Sequence, residues 1–397
     1  MNPTMTQVPQ DFDPELPEDF DSAHREYARL RSECPVAHTD GLGGFWALTR
    51  YEDVKRAASE SSTFITSKQN VVPKVAFTGR RPPLHLDPPE HTPYRKALNP
   101  LLSPARSEGF APRTRELARA LLAPMAAKGG GDICVEFSSH FPVHVFGDWM
   151  RMPKEWLDTL HDAGRAFILA VHMNHPEKMK ETSLRLYEMA RALIAIRKEH
   201  PDDPALDPTS ALLEARHEGE PLPDELLVGT VRQVLLVGLV APMVMIGSIC
   251  VHLAHHPDLQ AQLRADPSLL PNAIEEFLRL YTPYRGFART AVRDVEMGGR
   301  TIPEGEAIAL LYCSANRDED VFLQGDQFIL NRPNIGEHLA FGRGPHNCPG
   351  LHLGRMQLRV AMEELLAASS NGFELAGDIT MSRWPEIGPL VVPLRFL

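Results

Sequence analysis

The sequence predicts one large, mainly α-helical domain with small β-sheets, and three observations point there. Helix-like segments, apolar on one face and charged on the other, recur along most of the 397-residue chain. Strand-like runs are short. They gather between Val292 and Cys313, around Gly298-Gly299 and Pro303-Glu304-Gly305, and again from Trp384 to Leu397. No Gly/Ser tract, internal repeat or long low-complexity segment divides the chain. Length alone would suit two or three domains. The reading is instead a loosely ordered, flexible segment 1–20 followed by a single domain, 21–397.

Composition narrows the function classes. Hydrophobic residues make up 43% of the chain, enough for a sizeable core. A formal net charge of -11 argues against nucleic acid or an acidic membrane surface as the main partner. The N-terminal segment is acidic and Pro-rich, without the basic start and apolar core of a signal peptide. Cys34, Cys134, Cys250, Cys313 and Cys348 show no pairing pattern, which suits a reducing cytoplasm. A cytoplasmic monomer is expected.

Taken in order, Ser22 to Cys34 reads as an amphipathic helix, Gly44 to Thr49 as a strand, and Tyr51 to Ser59 as a helix. Ser61 to Pro89 is irregular, broken by Gly79, Pro82, Pro83, Pro88 and Pro89. A helix begins near Pro93, where proline is tolerated, and puts His91 and Arg95 on one face. Trp156 to Val171 and Glu177 to His200 are amphipathic helices, joined by His172-Met173-Asn174-His175-Pro176. With no third ligand near in sequence, His172 and His175 read as surface histidines rather than a metal site. His200 to Leu222 is polar and Pro-rich, a surface connection.

Pro223 and Asp224 then start a long helix that ends before His256-Pro257. At about 1.5 Å per residue it would run for about 48 Å. Val234 to Ala254 holds no Asp, Glu, Lys or Arg and is long enough to span a bilayer, but a single apolar span interrupted by Pro242 reads as a fully buried central helix. Proline at 242 has no amide, so the carbonyl of Gly238 loses its helical donor and the helix should kink. Pro271 to Leu280 forms the next helix, with Glu276 and Arg279 on one face. Trp384 to Leu397 reads as a closing hairpin.

One stretch carries the chemistry. Phe341-Gly342-Arg343-Gly344-Pro345-His346-Asn347-Cys348-Pro349-Gly350 is crowded with turn residues and precedes a helix from Leu351 to about Ala368. Cys348 therefore sits just before a helix N-terminus, where free amides and the helix dipole favour a thiolate. A thiolate in such a loop is a soft, strong donor suited to iron. An isolated cysteine in a turn is ordinarily a buried free thiol; the fixed spacing F-x-x-G-x-H-x-C-x-G sets this one apart.

At Phe341, Gly344, His346, Cys348 and Gly350 the chain resembles the cytochrome P-450 family, specifically its soluble bacterial members. The resemblance implies that family's fold, a haem b (iron protoporphyrin IX), and Cys348 as its axial iron ligand. No C-x-x-C-H occurs for covalent attachment. It further implies that His91, Arg95, Arg289 and His346 hold the haem propionates. Glu276, Arg279 and Arg332 would form a buried structural cluster. Phe77, Phe167, Phe287 and Ile387 would line the substrate pocket, beneath an entrance loop in 61–89 and a lid at 172–176. One departure stands out. Where the family carries a carboxylate followed by threonine, for proton delivery to dioxygen, this chain has Val240 and Ala241, then Pro242. Neither Val nor Ala can donate a side-chain hydrogen bond. The freed Gly238 carbonyl with an ordered water is the expected substitute.

The implied activity is a monooxygenase that inserts one atom of dioxygen into a C–H bond of a small apolar or aromatic substrate, by hydroxylation or O-dealkylation. The chain shows no flavin or iron–sulfur module, so electrons are expected from a ferredoxin and its NAD(P)H-dependent reductase. Arg343, Arg355 and Arg359 would offer a basic docking surface. Arg80, Arg81 and Arg285 are candidate partners for a substrate carboxylate. Two alternatives stand beside this reading: a peroxide-driven peroxygenase, which would not need the missing acid–Thr pair, and a non-catalytic haem sensor.

Overall fold

A computed structural model describes residues 10–397 except 17 and 76. It is mainly helical, with small sheets at the edges of the helical mass. The helix Leu351–Ala368, which follows the cysteine loop, packs along Ala111–Ala127 and against Leu270–Leu280 and Val240–His255. Leu157–His172 lies against Pro176–Glu199, and the latter against Asp224–Val237. One continuous apolar core joins these helices, from Leu86 to Leu394.

The largest sheet has five strands in the order Val36–Thr39, Phe45–Leu48, Ala307–Leu310, Ala288–Ala291, Phe64–Ile65. Its pairing is antiparallel except where Ala307–Leu310 runs parallel to Phe45–Leu48. Strands so far apart in sequence have no hairpin signature, so only Phe45–Leu48 and the 292–313 region are legible beforehand. The expected closing hairpin does not form. Pro389–Val391 pairs with Thr380–Met381, and Pro393–Phe396 pairs with Phe373–Leu375 and Gly130–Asp132. The alternation of a strand shows that it has a partner but not which one.

Two further expectations are corrected. Of the N-terminal segment, residues 1–9 and 17 lie outside the described residues, but the rest is anchored. Asp11 accepts from the His38 amide, Phe12 is buried edge-on against Phe45, and Glu18 pairs with buried Arg285 at 2.6 Å. The long central helix is two helices, Asp224–Val237 and Val240–His255, separated at Gly238 and Leu239. The break falls four residues before Pro242, where the proline removes the amide that would have continued the ladder. This whole stretch is apolar enough to cross a membrane, yet 72% of its most apolar window is buried inside the protein, as a core helix requires.

Candidate active site

The cysteine loop is built by two glycines in the left-handed region. Gly342 has φ 69° and Gly344 φ 72°. A Cβ at Gly344 would stand 2.5 Å from the carbonyl oxygen of Ala58, so only glycine lets the loop lie flat on the helix Tyr51–Ser59. A single 3₁₀ turn, Gly344–His346, then leads to Cys348, whose amide donates to the Phe341 carbonyl at 2.8 Å. Gly350 caps the helix Leu351–Ala368. Burial pushes the Cys348 thiol up, outweighing the Gly350 amide, Arg95 and Arg355, which act the other way. A metal cation at the sulfur deprotonates a thiol outright.

His91 and Arg95, from one distant segment, bond this loop, and Arg289, from another, lies near enough to act on the loop's own His346. Arg95 donates to the Asn347 carbonyl at 2.8 Å and to its side-chain oxygen at 2.9 Å. His91 Nε2 donates to the Pro345 carbonyl at 3.3 Å, and its ring lies 5.0 Å from that of His346. Thr66 and Asp87 approach His346 Nε2 at 3.3 Å and 3.8 Å. Arg289, 3% exposed, donates to the carbonyl of its neighbour Ala288 at 2.9 Å and also bears on the Tyr312 hydroxyl. Neither Arg95 nor Arg289 forms an ion pair among the described residues. Cations that turn to backbone carbonyls for want of carboxylates are a donor set for two carboxylates arriving from outside. With a soft sulfur donor between them, they fit an iron porphyrin.

Behind the loop, Glu276 is fully buried and bound by two arginines. Arg279 grips it bidentately at 2.8 Å, Arg332 Nε reaches it at 3.0 Å, and the Ile329 amide at 2.9 Å. Arg279 also donates to the Asn316 carbonyl, and Asn316 Oδ1 accepts from the Leu339 amide at 2.6 Å, two residues before Phe341. The cluster thus reaches the cysteine loop through one asparagine. A second clamp escapes sequence reasoning. Glu275 accepts from Arg355 at 2.6 and 2.8 Å and lies 3.0 Å from His338, while Arg355 also covers the Phe341 ring at 4.6 Å. An E-E-x-x-R run at 275–279 is the only signal it leaves. Arg355 is therefore engaged inward, and Arg359 is paired with Glu108 and Glu363; of the expected docking arginines only Arg343 is exposed and unpaired among the described residues.

The second helix of the broken pair, Val240–His255, packs against Leu351–Ala368, the helix that follows the cysteine loop. Val240 and Pro242 are buried and Ala241 half-buried, while Val237, near the start of the charge-free stretch, is 47% exposed. That face borders open space rather than packed side chains. A Cβ at Gly238 would lie 2.2 Å from the Phe146 ring, so the break needs glycine for room as well as for bending. Of the four expected pocket residues, Phe167 is buried and Phe287 half-buried, its strand bridged to Val71 of the irregular loop. Ile387 belongs to an apolar cluster with Trp384 and Phe45. Phe77 is on the surface, 73% exposed, a correction to its pocket assignment: the loop turns outward just before Gly79, at φ 140°. His172 is also corrected. It is buried, 2.7 Å from the equally buried Glu386, and ties the end of Leu157–His172 to the C-terminal segment. Arg285 is taken by Glu18 and Tyr27.

Comparison with known proteins agrees with this geometry. The family described as Cytochrome P450 matches residues 148–370. A protein named cytochrome P450 107B1, from Saccharopolyspora erythraea, is 34% identical and aligns over 91% of this chain and 90% of its own. Mycinamicin IV hydroxylase/epoxidase of Micromonospora griseorubida is 32% identical, over 93% of this chain and 94% of its own. The solved structure of CYP109Q5 from Chondromyces apiculatus superposes with a TM-score of 0.86 at 26% identity, covering 97% of this chain and 98% of that one.

Proposed function

The chain belongs to the cytochrome P450 family and is an oxidoreductase of the monooxygenase kind; from that premise we propose that it inserts one atom of dioxygen into a C–H bond of a small apolar or aromatic substrate. The family implies a haem-iron cofactor, and we assign it as haem b. When bound, that group supplies thiolate-ligated iron, which activates dioxygen. This chain's residues do the rest. Cys348 provides the sulfur, while Arg95, Arg289, His91 and His346 orient the porphyrin through its two carboxylates. Phe167 and Phe287 shape an apolar wall for the substrate. At the break in the distal helices, the Gly238 carbonyl has no donor at position 242 and accepts from a water or a substrate hydroxyl. That hydrogen-bonded group holds the proton that Val240 and Ala241 cannot supply. Hydroxylation as the reaction class is supported by the relative named a hydroxylase/epoxidase. Electrons come from a cytoplasmic ferredoxin and its NAD(P)H-dependent reductase, docking on the face that carries Arg343.

The observation that carries this reading is the gathering of His91, Arg95 and Arg289 about the cysteine loop and its own His346. The test has two parts. Cys348→Ser should abolish the red-shifted carbonyl band of the reduced protein. Turnover with ferredoxin, reductase and NAD(P)H should exceed turnover with hydrogen peroxide alone. The reverse order would favour a peroxygenase, the second reading, which the absence of a side-chain proton donor at 240–242 keeps open. An unchanged carbonyl band in the variant would reject both.

A further inference from the structure

We propose that Arg81 and Arg232 form a binding site for an oxyanion, and that its natural occupant is a carboxylate at one end of the substrate. This rests on the reading above that Phe167 belongs to the substrate pocket. The buried arginines of this chain otherwise obey one rule. Arg279 and Arg332 share Glu276, Arg285 meets Glu18, and Arg197 meets Asp207 at 3.1 Å. Arg289 departs from it where a cofactor carboxylate is due. Arg81 and Arg232 depart from it where nothing is assigned.

Arg232 stands in the middle of Asp224–Val237 with no exposed surface, and Arg81 is 7% exposed. No carboxylate among the described residues bears on either one. Arg232 donates one hydrogen bond, from Nη2 to Ser183 Oγ at 3.0 Å; its Nε and Nη1 have no partner. Arg81 Nη2 meets only His85 Nε2, at 3.1 Å, and its Nε is unpaired. Tyr187, on the adjoining helix, has an unpaired hydroxyl as well. The rings of Phe167 and Tyr187 lie 4.7 Å and 5.9 Å from the Arg232 guanidinium. They solvate the cation without supplying a negative charge. His85 supplies none either: burial, then Arg81, pull its pKa down to about 3, so it is a neutral acceptor.

An arginine stays protonated at any working pH. Two of them, buried side by side without a counter-ion, are expensive unless an anion joins them. The surroundings suit a ligand that enters and leaves. The segment Thr78–Arg81 lies flush on the helix, with the Arg80 carbonyl 2.0 Å from where a Cβ at Gly229 would be. Thr78 closes on Ser183 at 2.8 Å. That segment is irregular and can part from the helix without breaking a strand or helix. A guanidinium fork matches a carboxylate bidentately, and the Tyr187 hydroxyl adds a third donor. From Arg232 to Ala241 is nine residues, and the break at Gly238 and Leu239 lies between them, so the two belong to different helices. The occupant is then amphiphilic: an anionic end between the two arginines and an apolar body on the side of Phe167. The carboxylate anchors the substrate.

The experiment titrates the haem-loaded protein with decanoate and with methyl decanoate, read by the Soret spin-state shift. Inorganic phosphate is titrated in parallel, read by the thermal midpoint. Decanoate is expected to bind about tenfold or more tighter than the ester, the range of one charge-assisted bond. Arg232→Met and Arg81→Met should each erase that preference while leaving ester binding in place. In anion-free buffer Arg232→Met should melt no lower than the native chain, because an uncompensated charge has been removed; a purely structural arginine would give the opposite. Phosphate that stabilises the native chain but not Arg232→Met, in the absence of an acid preference, supports the oxyanion site and assigns it to a free anion. Equal binding of acid and ester with no stabilisation by phosphate overturns the proposal, as does an acid preference that survives both substitutions. None of these readouts needs electrons, so they stand apart from any failure of turnover. Product formed from neutral substrates by an anion-insensitive protein refutes this site alone.

Discussion

Substituting Glu276→Gln keeps the shape of the side chain and removes its charge, which isolates the electrostatic part of the buried cluster. In the native chain the carboxylate accepts from Arg279 twice, from Arg332 and from the Ile329 amide. All three side chains are nearly or fully inaccessible to solvent, so no water can replace the lost partner. Removing one member of a buried charged group costs about 3–5 kcal/mol, because the remaining charges stay buried. At about 2.1 cal/mol/K per residue, the unfolding entropy of a chain this size makes that loss worth about 4–6 °C in the thermal midpoint. Circular dichroism melting of the haem-loaded protein measures it. The cluster also reaches the Leu339 amide through Asn316, so the variant should lose part of its red-shifted carbonyl band before it melts. A midpoint within about 1 °C of native, below what one hydrogen bond to a charged group is worth, together with a full carbonyl band, would refute the argument that this pair of arginines depends on one carboxylate.

Removing Arg95 and Arg289 together (Arg95→Leu, Arg289→Leu) should impair haem retention, seen as free haem on gel filtration; full occupancy would reject their assignment. Glu275 gives a pH dependence: burial raises its pKa, but bonds from His338 and Arg355 outweigh this and hold it at about 2, below the ordinary 4.5. A depressed carboxylate stabilises the fold above its unfolded pKa and loses that contribution as pH falls through the folded one. The thermal midpoint of the native chain should therefore decline between about pH 4.5 and 2, more steeply than that of Glu275→Gln. Pro242→Ala restores a donor for the Gly238 carbonyl and should lower product formed per NAD(P)H consumed, while Ala241→Thr should raise it if proton supply limits the native enzyme. Unchanged coupling in Pro242→Ala would remove the proline from oxygen chemistry.

The parts legible in the sequence were those fixed by local chemistry. Leu351–Ala368 and Tyr51–Ser59 were readable to the residue because a turn-rich stretch or a charged start bounds them. The kink was readable because a missing amide acts four residues away. Pairings across hundreds of residues were not. Nothing local tells Pro393–Phe396 to choose Gly130–Asp132, or His172 to find Glu386. Exposure was also hidden: the resemblance implies Phe77 as a pocket residue, and its 73% exposure puts it on the surface. Arg355 looks like a docking charge until Glu275 is seen to hold it.

The distal side departs from expectation in two places on the same pair of helices, and the two are physically related. A helix that lacks a side-chain proton donor depends on what is bound beside it, because the Gly238 carbonyl only accepts. The donor must then be a water or a hydroxyl held in register by the substrate itself. Positioning of that kind needs an anchor away from the reacting carbon, since apolar contacts alone allow the guest to slide. Arg232, in the helix before the break, is such an anchor if an oxyanion occupies it. With the anchor at one end and the break at the other, the chain moves part of its proton control from its own side chains onto the geometry of its substrate. Substrates that cannot reach both ends should bind, yet consume electrons with little product.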